Sequence, residues 1–158
     1  MSELEYPACI AELYQSEVLG ERAFLALRAA ARNDRERYHF GTFLQLESET
    51  KVKLRPFLQK YDLKLSEDFD QEQIAGFVSL YSDNTWEGFL SAIKPMIEQF
   101  LQRFKEIADL GPPEDRTILE SMVTHEQSFL HWIEKELSGE EGALDEAISQ
   151  LQYPFPAV

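Results

Sequence analysis

Three glutamates fall where helical spacing would place apolar side chains. In the stretch 122–137, MVTHEQSFLHWIEKEL, Glu126 has Leu119, Met122, Phe129, Leu130 and Ile133 at −7, −4, +3, +4 and +7. An α-helix turns about 100° per residue, so these neighbours lie within roughly 60° of its direction. Counted the same way, His125 sits at the edge of this stripe and His131 points nearly opposite, to solvent. Glu17 is centred among Ile10, Leu13, Tyr14, Gly20 and Phe24, with Glu21 one turn later on the same side. Glu47 is centred among Phe40, Phe43, Leu44, Leu54 and Leu58. Burying an uncompensated carboxylate is costly, and three that converge in a dry core raise one another's pKa unless a cation intervenes. The chemistry to expect is therefore cation binding by carboxylates. That cation is either a metal ion or a core base, and Lys51, four residues after Glu47 on the same face, makes the second alternative concrete. Arg28, two turns beyond Glu21, also counts to the core side. A metal-free network of Glu17, Glu47, Glu126 and Lys51 competes directly with a metal site.

The glutamates are carried on long amphipathic helices. Periodicity predicts a first helix from about Ala8 to Ala31 and a second from about Arg35 to Tyr61, with Asp34 as its N-cap and Pro56 weakening or kinking its last turns. A polar connection at 62–70 leads to a short helix capped by Asp70. Thr85 then opens a third long helix, which contains Pro95. The apolar face of that helix is Trp86, Ile93, Ile97, Phe100 and Phe104, and Glu98 points away from it. The segment GPP at 111–113 ends it and starts the fourth, which Gly139 stops. A short helix near 143–151 and the tail YPFPAV follow. Four long helices with one longer crossover, between the second and third, predict an all-α four-helix bundle. We read it as a single helical domain spanning residues 1–158.

Composition bounds the function. At 158 residues the chain can bury a substantial core, and 44 % apolar with 28 % charged residues is a globular mixture. A formal charge of −14 argues against nucleic acid and anionic membranes as partners, because phosphate binding needs a basic surface. No apolar run approaches the ~18 residues needed to span a bilayer. The opening MSELEYPACIAEL has neither a basic n-region nor a long apolar h-region, so no signal peptide is expected. The single Cys9 excludes an internal disulfide and suits a reducing cytoplasm. No glycine-rich phosphate loop, Cys-x-x-Cys, Gly-x-Ser-x-Gly or His-Glu-x-x-His occurs, and His39, His125 and His131 form no i, i+4 pair.

With its glutamate motifs YQSEVLGERAF (14–24) and LQLESETKVKLRPFL (44–58), the chain resembles the ferritin-like superfamily, which includes bacterioferritin, rubrerythrin and the di-iron carboxylate oxygenases. Members present a Glu on the first and third helices and Glu-x-x-His on the second and fourth. The resemblance places Glu17 and Glu47 in ligand slots, with the small Gly20 one turn beyond the first, and Glu126 in the slot on the fourth helix. The sequence departs from the pattern at Thr50 and Phe129, which stand where the two histidines belong, and the third helix offers no carboxylate unless Glu98 turns inward. His125 is the remaining imidazole. The resemblance thus implies a reduced iron or manganese site with candidate ligands Glu17, Glu47, Glu126 and His125 rather than a complete di-iron centre. It implies a metal-dependent oxidoreductase acting on oxygen or peroxide, a small apolar substrate admitted through the aromatic interior, and a homodimer, since the family commonly pairs bundles. The alternative is a non-enzymatic binding module on the same scaffold, its metal site lost.

Overall fold

The computed structural model describes residues 5–157. The described chain is helical, with six α-helices: α1 Glu5–Ala30, α2 Asp34–Lys60, α3 Gln71–Ser82, α4 Trp86–Leu110, α5 Arg116–Ser138 and α6 Asp145–Ser149. A 3-10 turn at Pro113–Asp115 precedes α5. Residues 31–33 fold α2 back on α1, the turn at 111–115 does the same for α4 and α5, and the two hairpins pack together. The crossover between them carries α3, which lies against both α1 and α4. Among the described residues no helix is long and apolar enough to cross a membrane.

Helix boundaries follow side-chain capping. Asp70 and Thr85 cap α3 and α4 by accepting from Glu72 N and Gly88 N. Gly139 ends α5 in the left-handed region, at φ 75°, where a side chain would be strained. The expected cap of α2 was one residue off. Asn33, not Asp34, is in the extended conformation and accepts from Glu36 N at 2.8 Å, leaving Asp34 in the first helical turn. The helices α2 and α4 run on through Pro56 and Pro95.

The interior has two apolar clusters. One gathers Phe24, Phe40, Phe43, Phe89, Ile93, Phe129 and Trp132. The other gathers Ile10, Leu13, Tyr14, Leu54, Leu58, Phe104, Ile107 and Met122. Along each of three helices the change from one cluster to the other is interrupted by buried polar residues. On α1, Glu17 follows Tyr14 and precedes Phe24; on α2, Glu47 and Thr50 lie between Phe43 and Leu54; on α5, His125 and Glu126 lie between Met122 and Phe129. The corresponding stretch of α4, from Met96 to Leu101, offers no carboxylate to the core. Glu98 is half exposed there and pairs with Lys94.

Two anchors hold this frame. Buried Asp115 accepts from Tyr6 Oη at 3.0 Å, Tyr61 Oη at 2.5 Å and Lys60 Nζ at 2.5 Å, tying the start of α5 to α1 and α2. Glu67 of the crossover takes Lys51 Nζ at 2.5 Å and the Tyr14 hydroxyl. Two basic residues differ from expectation, Arg28 in its facing and Lys51, buried as expected, in its partner. Arg28 is exposed and lies over the ring of Phe155, and Lys51 turns to Glu21 and Glu67, with no ion pair to Glu47. In the tail Tyr153 and Phe155 are exposed, while Val158 lies outside the described residues.

Candidate metal centre

The polar band closes into a cluster at its middle. Glu17 from α1, Glu47 from α2 and His125 from α5 each offer one ligand atom, all within 4.8 Å of one another and all buried. His125 Nε2 stands 3.1 Å from Glu17 Oε2 and 3.5 Å from Glu47 Oε2. These contacts are misaligned for hydrogen bonds. Glu17 Oε2, Glu47 Oε2 and His125 Nε2 have no hydrogen-bond partner despite near-complete burial. Buried polar atoms are nearly always satisfied, so three orphans facing one point need an explanation.

The electrostatics agree. Burial pushes the Glu47 carboxyl well above its ordinary range, and the adjacent Glu17 charge pushes it further. Burial raises Glu126 to about 8, opposed in part by His125 and reinforced by Glu17. Burial alone would depress His125, but the Glu17 carboxylate overrides it and the imidazole is net raised. Without a cation the cluster therefore retains protons, as a set of converging carboxylates must.

The site is shaped for these groups. At Gly20, one turn after Glu17, a Cβ would stand 2.4 Å from Glu47 Cδ and Oε1. The missing side chain is what lets the Glu47 carboxylate lie against α1. Glu126 is not one of the three atoms that converge; its carboxyl lines a neighbouring cavity of about 60 Å³ together with Glu17 and Glu47. Apart from Ser16 the remaining walls are apolar, formed chiefly by Phe24 and Leu27 of α1, Phe77 of α3, and Phe89, Ile93 and Met96 of α4. The four candidate residues read from the sequence thus occupy one region in two roles, Glu17, Glu47 and His125 around a point and Glu126 facing the cavity. His125, counted to the edge of its stripe, is buried because α2 offers it a partner. That partner is Thr50, whose hydroxyl lies 3.2 Å from His125 Nδ1. Sequence reasoning took Thr50 only as a vacant histidine slot; the available signal was its position three residues after Glu47, on the same face. The proposed Lys51 counter-charge does not reach the cluster, because Glu21 and the crossover residue Glu67 hold its ammonium elsewhere.

Comparison of the chain with protein-family models, curated proteins and solved structures finds no match.

Proposed function

We propose that the protein binds one first-row divalent metal ion, iron or manganese, through Glu17, Glu47 and His125, on a ferritin-like four-helix bundle reduced to a single-metal site. The observation that carries this reading is the set of three buried, unpartnered ligand atoms converging from three helices. The distances from His125 Nε2, 3.1 Å to Glu17 and 3.5 Å to Glu47, suit a shared ion, since atoms bound to one metal at about 2.1 Å are about 3.0–3.4 Å apart for right-angle to tetrahedral geometry and at most about 4.2 Å. Two carboxylates favour hard cations and an imidazole favours iron and its neighbours, so the mixed donor set suits iron or manganese. When bound, such an ion supplies one-electron chemistry toward oxygen or peroxide, which makes the reading a metal-dependent oxidoreductase. The chain's own contribution is a dry setting. The apolar walls formed by Phe24, Leu27, Phe77, Phe89, Ile93 and Met96 exclude water and admit a small apolar substrate, and the Glu126 carboxyl holds a proton at the cavity surface. The exposed Tyr153 and Phe155 support the further reading of a homodimer; sedimentation showing only monomer at high micromolar concentration rejects it.

Metal analysis tests the proposal. Protein purified without chelator and reconstituted with iron(II) or manganese(II) should hold one ion per chain, with an anomalous peak between Glu17, Glu47 and His125. An empty site under excess metal refutes it. That outcome supports the second reading, a non-enzymatic scaffold whose carboxyls are neutralised by protons, for which the raised Glu47 and Glu126 carboxyls are the specific support.

A further inference from the structure

The chain has a threonine where the resemblance leads one to expect a histidine, and the geometry gives that threonine a task. A hydroxyl has one proton to donate and two lone pairs to accept with. Thr50 Oγ1 donates to the carbonyl of Leu46, one turn back, at 2.7 Å. Its other polar contact is His125 Nδ1 at 3.2 Å, toward which it has only a lone pair left to offer. An imidazole nitrogen facing a lone pair must carry a proton. We propose that Thr50 is a positioning residue that fixes neutral His125 as the Nδ1–H tautomer, leaving Nε2 free of a proton and turned toward Glu17 and Glu47.

The opposite tautomer fits the surroundings poorly. It would require Thr50 to give up its bond to Leu46 and donate to Nδ1, and it would place a proton on Nε2. That N–H would find no aligned acceptor, because neither Glu17 Oε2 nor Glu47 Oε2 accepts a hydrogen bond from Nε2 in this arrangement. The ring is buried, so bulk solvent does not reach Nε2. The ring plane is also held from its own helix: Phe129, one turn on in α5, meets the imidazole edge to face at a centroid distance of 5.2 Å. Ser128 donates to the His125 carbonyl at 2.6 Å and steadies the local backbone. Metal-ligating histidines depend on a partner at the second nitrogen, and loss of that partner typically lowers metal affinity about 10–100-fold. The tautomer assignment stands on the hydrogen-bond geometry alone; its consequence for affinity rests on the metal-site reading above.

The test combines ring-nitrogen NMR with manganese titration. In metal-free wild-type protein labelled with [15N]histidine, at a pH where His125 is neutral, Nδ1 should be protonated and Nε2 bare. Thr50→Val, which keeps the shape and removes the hydroxyl, should lose this preference and bind manganese(II) about 10–100-fold more weakly. Thr50→Ser should restore both. A wild-type spectrum showing Nε2–H overturns the proposal, and this measurement needs no variant to fold. Unchanged tautomer and affinity in a folded Thr50→Val overturn it as well. Wild-type protein with the Nδ1–H tautomer but no manganese binding upholds the role of Thr50 and refutes the metal site, so the two failures are distinguishable.

Discussion

Replacing Gly20 by alanine tests the centre without touching a ligand. The added Cβ would meet Glu47 Cδ and Oε1 at 2.4 Å and Oε2 at 2.8 Å, whereas ordinary contact begins at 3.4 Å. The Glu47 carboxylate must therefore retreat by about 1 Å, a misplacement large enough to spoil a positioned ligand set. Its Oε2 stands 3.5 Å from His125 Nε2 at the outset, close to the limit for sharing one ion. Two atoms joined to a metal at about 2.1 Å cannot be more than about 4.2 Å apart. Gly20→Ala should then weaken manganese(II) binding at least about tenfold, or about 1.4 kcal/mol, by isothermal titration. Stability in the presence of chelator should move the other way or barely change. Alanine in a helix interior gains about 1 kcal/mol over glycine, and the clashing group is the end of a flexible side chain. Urea unfolding of the chelated protein measures this term separately. An alanine variant that binds manganese as tightly as wild type would refute the assignment of Glu47 as a ligand held in the space Gly20 leaves.

Other perturbations separate charge from packing. The folded chain holds the Glu126 proton up to about pH 8, whereas the unfolded chain releases it near 4.5, so the folded state binds more protons between these values and its stability falls as pH rises through that window. The interval corresponds to roughly 4–5 kcal/mol for this group, and Glu126→Gln should flatten the slope in chelated protein followed by urea unfolding from pH 5 to 9; parallel profiles for the two proteins would count against a buried, protonated Glu126. Lys51→Met removes the partner of Glu21 and Glu67 and should cost about 1–3 kcal/mol, reduced from the fully buried case because Glu67 is partly exposed, with metal content unchanged; lost metal would place Lys51 in the site after all. Phe43→Ala opens a hole beside Phe129, which stacks on it, and the tilted ring of Trp132, and should cost about 3–5 kcal/mol by the same unfolding assay, a near-neutral result being incompatible with its complete burial.

The helices and the inward glutamates were legible from the chain because both are local. Periodicity near 3.6 residues decides which side of a helix is apolar, and a glutamate inside that stripe is conspicuous wherever the helix packs. Asp70, Thr85 and Gly139 likewise act within a turn of their own positions. Counting was less sure where two adjacent residues compete, as at His125 and Glu126. Both are buried, but a difference of about 100° in facing directs one to Glu17 and Glu47 and the other to the cavity, and the neighbouring helices determine which is which. Lys51 shows the limit most plainly. Its spacing from Glu47 is a good ion-pair spacing, yet the crossover brings Glu67, sixteen residues away, to within 2.5 Å of its ammonium. The bond from Thr50 to His125 spans seventy-five residues. Spacing along one helix sets where a side chain can point; which charge or lone pair meets it there is decided by elements far off in the chain, through contacts that exist only once the hairpins have packed.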